Sequence, residues 1–224
     1  MPARIGEFLR GEGRFAPDAP AAGRMPLMLG FLFAGGLLYG AVMGAWGGLT
    51  PDRWPQLLYS GLKVPLLLGA TFLLCLPSYY VVNLVAGLGD DFGQALRAVV
   101  ATQSCVTVVL AALAPVTVFF YLCLPDYRSA VTFNGAMFAV GCLAATRVVR
   151  RYYGPLIRKH PRHRAMLRFW FLFYVFVGIQ MGWVLRPFIG TPNAPVRFFR
   201  EGAWGNAYEV VLNLLTHSID RVAR

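Results

Sequence analysis

Two neighbouring carboxylates, Asp90 and Asp91, are the first residues to test for chemistry. Adjacent acids can hold a divalent metal against a pyrophosphate when further carboxylates follow at helical spacing. None follows: the next acid is Asp126, and the fifth position of the pattern begun at Asp90 is Gln94. The pair reads instead as a helix start, Asp90 as the N-cap and Asp91 in the first turn. His160 and His163 stand three apart around Pro161, inside a basic stretch that repels a cation, so no metal is expected there. The sequence contains no GxSxG elbow, Walker loop or dinucleotide fingerprint. Cys75, Cys105, Cys123 and Cys142 all fall in apolar runs without paired ligand spacing and read as packing residues. The chain reads as non-catalytic, with no metal and no cofactor. One further set remains: Lys63, Thr117, Asn134 and Gln180, polar residues inside otherwise apolar runs.

The elements that carry these residues are membrane spans. The 224 residues are 57% hydrophobic and only 14% charged, against about 25% charged in soluble domains. Apolar runs at 25–49, 57–88, 98–124, 129–149 and 167–187 are each long enough to cross a hydrocarbon core of about 30 Å. Beyond them Tyr208, Val211, Leu212, Leu215, Ile219 and Val222 recur at helical spacing and predict an amphipathic helix at the interface. The expected fold is therefore all-α: a polytopic helical membrane protein with five transmembrane helices and a C-terminal amphipathic interfacial helix. A cytoplasmic tail (1–24) precedes the five-helix domain (25–187), and an aromatic outer loop with the amphipathic helix (188–224) follows. In the tail, Ile5, Phe8 and Leu9 could form one turn of interfacial helix, with the rest mobile.

Charge orients the bundle. Arg147 to Arg168 holds eight of the 21 Lys and Arg residues and no acid. Four more in the tail and Arg97 fall on the same side, while the two short opposite turns offer Arg53 and Arg128. Positive charge is retained in the cytoplasm, so the N-terminus is expected inside and the C-terminus outside. Arginine far outnumbers lysine, which fits a GC-rich bacterial genome, and the expected location is the bacterial inner membrane. The net charge of +11 lies beside apolar spans; anionic lipid headgroups account for it better than nucleic acid does.

Three surfaces follow from this topology. Gly36, Gly40, Gly44 and Gly48 recur every fourth residue and draw a smooth groove for a neighbouring span or a second copy. Arg150, Arg151, Arg158, Lys159, Arg162 and Arg164 form a cytoplasmic basic loop that could dock on anionic lipid or an acidic partner, besides setting topology. Lys63, Thr117, Asn134 and Gln180 each fall about 10 Å below the outer surface on four different spans. Converging, they would make an outward-facing polar pocket for an anion or a lipid phosphate. Otherwise Lys63 snorkels to the interface and the rest satisfy backbone groups freed by Pro65 and Pro115.

Five spans with compact Gly- and Pro-bearing helices, including LLYSGLKVPLLLGATFLLCLP (Leu57 to Pro77) and GDDFGQALRAVV (Gly89 to Val100), resemble the Yip1-type membrane proteins and their bacterial relatives. The tail WVLRPFIGTPNAPVRFFREGAWGN (Trp183 to Asn206) is similar to that of uncharacterised bacterial polytopic proteins. The resemblance implies a non-enzymatic membrane organiser. The function expected is a scaffold, adaptor or accessory subunit of a membrane assembly, with a membrane-protein partner or a homo-oligomer. The alternative is a small transporter or channel for an anionic or lipidic solute through the Lys63 pocket.

Overall fold

The computed structural model describes residues 2–16, 24–48, 51, 53–124, 126–186, 196–199 and 205–209. It is helical, with no strand among the described residues. The helices are α1 (Pro2–Arg10), α2 (Arg24–Gly44), α3 (Trp54–Val85), α4 (Phe92–Cys123), α5 (Tyr127–Lys159) and α6 (Arg162–Leu185). The last five are long and apolar enough to cross a membrane, which makes the chain a membrane protein. Of the expected C-terminal amphipathic helix, Ala207–Glu209 are helical and residues 210–224 lie outside the described residues.

Helix ends differ from the apolar runs, because hydropathy stops at the first charges while backbone hydrogen bonding does not. α5 is 33 residues long, about 50 Å at 1.5 Å per residue. It carries the basic stretch ten residues past Val149, where the apolar run ends. The expected basic loop is thus mostly helix: Arg150, Arg151, Arg158 and Lys159 belong to α5, Arg162 and Arg164 to α6, and only His160 and Pro161 connect them. At the other end of α5, the Asp126 carboxylate accepts from the Ser129 N–H at 2.8 Å, and this backbone bond holds it below the ordinary carboxylate pKa. α2 ends earlier than expected, at Gly44, and Gly47 and Gly48 take φ of 85° and 93°, a left-handed region open to glycine.

α2 is the centre of the bundle. Half of its apolar window is buried, against 6% of that of α6. It packs on α3 along one side and on α4 along the other; α5 lies on α4, and α6 on α3. In space the order is therefore α6, α3, α2, α4, α5, and the consecutive helices α5 and α6 touch little.

The α2–α3 contact runs along three of the four ladder glycines. A methyl on Gly44 would fall 2.6 Å from the Gln56 carbonyl oxygen, one on Gly40 would collide with the Ser60 carbonyl, and Gly36 faces the Pro65 ring at 3.4 Å. Gly48, past the helix, faces open space and is not part of the groove. Gly35, outside the four-residue period, serves the opposite face: its added methyl would meet the Thr107 carbonyl oxygen at 2.7 Å. There Ser104 donates to the Met28 carbonyl at 2.7 Å and Thr107 to the Phe31 carbonyl at 3.3 Å. Small residues admit the backbones and hydroxyls bond across, the usual association chemistry inside a bilayer.

The N-terminal segment is docked. Phe8 and Phe15 are fully buried against Phe31. Tyr152 donates to the Phe15 carbonyl and Arg151 to that of Leu9. α1, α2's start, α4's start and the α5–α6 turn together form the basic end of the molecule.

Candidate functional site: a lipid-facing cleft above a polar latch

Because α5 and α6 flank the bundle and pack little against each other, a cleft of about 600 Å³ opens between them at the basic half. Its back is Ala98, Val99, Gln103 and Val106 of α4; Leu68 of α3 also contributes. One wall carries Phe138, Ala139, Cys142, Leu143 and Thr146, and the other Leu167, Trp170, Phe171 and Tyr174. Leu143 is 69% exposed and Phe171 44% exposed, so the rim faces the bilayer. The volume lies within the roughly 300–1,000 Å³ of small-ligand sites. The lining holds no carboxylate and no cation, and its chemistry is that of an apolar chain. Two polar residues of α4 also line it: Thr102, whose hydroxyl donates to the Ala98 carbonyl at 2.7 Å, and Gln103, which is buried and whose Nε2 has no hydrogen-bond partner among the described residues.

A polar latch closes the basic end below this cleft. The hydroxyls of Tyr153, which lines the cleft, and Tyr79 share a hydrogen bond of 2.7 Å. His163 is fully buried and sets its ring edge-on against Tyr153, at 5.9 Å between centroids. Its Nε2 lies 3.2 Å from one Asp91 carboxylate oxygen, and the Lys159 ammonium donates to the other at 2.6 Å. Arg162 donates to the Ala86 carbonyl at 3.3 Å. Asp91 therefore departs from its expected role. It occupies the N-cap position of α4 but makes no side-chain capping bond, and Asp90 sits in the preceding 3-10 turn. The carboxylate instead clamps the α5–α6 turn onto the α3–α4 turn. Among the described residues no three His, Cys, Asp or Glu side chains group as a metal site.

The six expected docking cations divide into two groups. Arg151, Lys159 and Arg162 are committed to Leu9, Asp91 and Ala86. Arg150, Arg158 and Arg164 are exposed, and no hydrogen bond or ion pair holds them among the described residues.

The four polar residues expected to converge fall in two places. Thr117 and Asn134 meet through Tyr39: its hydroxyl donates to Asn134 Oδ1 at 3.0 Å, and Thr117 lies 3.5 Å from the same hydroxyl. Asn134 also donates to Tyr121 at 2.6 Å and to the Ala130 carbonyl at 2.7 Å. This buried network joins α2, α4 and α5. Lys63, 3% exposed, and Gln180 turn instead to the C-terminal segment. The Lys63 ammonium lies 5.1 Å from the Phe198 ring centroid. Gln180 donates to the Gly205 carbonyl and accepts from the Ala207 N–H, both at 3.0 Å. Those bonds hold the segment against the bundle.

Sequence reasoning did not find the cleft or the latch. The cleft's residues carry the same apolar signature as lipid-facing ones, and Asp91 meets partners 68 and 72 positions away. In comparisons with known proteins, no family model, no curated protein and no solved structure matches the chain.

Proposed function

We propose that this chain is a non-catalytic integral membrane protein, a scaffold or accessory subunit, whose working part is the α5–α6 cleft. The cleft takes an apolar chain laterally from the bilayer and holds it inside the bundle. One observation carries the reading: a cleft of about 600 Å³, apolar in its lining, opens on the lipid-facing side of helices that cross a membrane. A transmembrane partner helix fits it poorly, since a cylinder 10 Å wide and 30 Å long encloses about 2,400 Å³. A single acyl chain is the better match. The same class of role, a non-enzymatic organiser of the membrane, is what a Yip1-type resemblance implies.

In this reading the basic end lies on the cytoplasmic side of a bacterial inner membrane. Its support is the asymmetry of Lys and Arg between the two ends. The experiment is native mass spectrometry on protein extracted gently from its own membrane. The expected result is a retained lipid or other amphiphile, lost in an Ala139→Phe/Cys142→Phe variant that fills the cleft and keeps its helical circular dichroism. Retention unchanged by the filling overturns the reading. A stoichiometric protein partner whose binding the same variant abolishes would assign the cleft to that partner instead.

A further inference from the structure

Lipid tails are as apolar as leucine, so an acyl chain moving from bilayer to cleft gains packing but no hydrophobic driving force. Selectivity for one amphiphile over the bulk must come from its polar end, and the cleft walls lead to three cations. Seven residues are two helical turns less 20°, so positions seven apart lie on one stripe. On α5, Arg150 follows the cleft residue Leu143 by seven. On α6, Arg164 precedes Phe171 by seven and Arg168 precedes Val175 by seven, and both Phe171 and Val175 line the cleft. The three arginines thus share stripes with the lining: Arg150 and Arg168 stand at the height of the lining residues Val149, Tyr153 and Leu167, and Arg164 lies beyond them toward the basic end. All three side chains are exposed, and none pairs with a carboxylate among the described residues. Asp91, the acid of the α3–α4 turn, is already held by Lys159 and His163.

Resting on the cleft reading above, we propose that the ligand is an anionic phospholipid of the surrounding membrane: its acyl chain lies in the α5–α6 cleft and its phosphate between Arg150 on one wall and Arg164 and Arg168 on the other. Guanidinium is suited to phosphate because its planar donors can bond two oxygens at once. Buried Gln103 at the back offers an unpaired amide donor to the ester carbonyls that follow the phosphate. The arrangement also separates the cations by role. Lys159, Arg151 and Arg162 hold the protein together, and the stripe arginines are left for the ligand.

The test reconstitutes the full chain in nanodiscs of phosphatidylcholine with a minor fraction of phosphatidylglycerol and measures by native mass spectrometry which lipid stays bound. Wild type is expected to retain phosphatidylglycerol well above its mole fraction. Each of Arg150→Gln, Arg164→Gln and Arg168→Gln is expected to lower that preference about fivefold, while Arg4→Gln, an exposed cation on α1 at the same end, leaves it unchanged. Ala139→Phe/Cys142→Phe is expected to remove both lipids. Equal retention of the two lipids by wild type, still lost on filling the cleft, overturns the headgroup assignment and leaves the cleft reading standing. A loss with Arg4→Gln equal to that with Arg150→Gln also overturns it, reducing the effect to diffuse surface charge. Retention unaffected by filling overturns both.

Discussion

Asp91 shows how one carboxylate can be read locally and act remotely. Its neighbours predict a helix start, but its oxygens meet Lys159 at 2.6 Å and His163 at 3.2 Å. The histidine is fully buried, so removing its partner leaves a buried ring nitrogen without a hydrogen bond, a cost beyond the loss of the bond itself. Asp91→Ala, which leaves His163 no side-chain partner at this position, is expected to destabilise the protein by about 1–2 kcal/mol. Lys159→Gln should cost less than about 1 kcal/mol, because the Lys159 side chain is 60% exposed. Asp90→Asn, exposed in the same turn, should stay within about 0.5 kcal/mol of wild type. Unfolding in detergent checks the order, and equal effects at Asp90 and Asp91 would contradict the latch. The pairing was not legible in the sequence because its partners come from another turn of the chain. The same limit applies to Lys63: its depth in the span was readable, whereas its position beside Phe198 depends on how residues 196–199 return to α3.

At the scale of the helices, the glycine period was legible and its ends were not. Recurrence every fourth residue is a local property of α2, and it gives one smooth face wherever the partner lies. Gly48 continued the period in sequence, but the helix had already stopped at Gly44. Gly35 broke the period and still meets a backbone, because α2 has a second neighbour, α4. Close approach makes these positions intolerant of even a methyl. Gly40→Ala is expected to cost about 1–3 kcal/mol by overpacking. Gly30→Ala, in the same helix but facing open space, should stay within about 0.5 kcal/mol of wild type or rise above it. Thermal unfolding of the two variants separates packing from helix propensity; equal losses would contradict the α2–α3 interface. The basic stretch teaches a related lesson. Its charges end the apolar run, and its apolar positions Tyr152, Tyr153 and Leu156 are buried, so the helix continues through it.

The whole molecule adds what no single helix contains. Five spans and the asymmetry of charge follow from composition, but the spatial order α6, α3, α2, α4, α5 follows from which faces fit. That order separates two consecutive helices and leaves the cleft between them. Phe171, Leu143 and Ala139 look in sequence like any lipid-facing residues; only the sparse α5–α6 contact makes them a lining. Trp170 lines that cleft and is only 4% exposed, so it reports on the interior and little on the surrounding lipid. The most direct test of the account is quenching of Trp170 fluorescence by phosphatidylglycerol brominated on its acyl chain, the Trp170 component being taken as the signal lost in Trp170→Phe. The account predicts that this component is quenched at a low mole fraction of brominated lipid, saturates, and escapes quenching in Ala139→Phe/Cys142→Phe. A Trp170 component that stays unquenched, or is quenched equally in the filled variant, would contradict it.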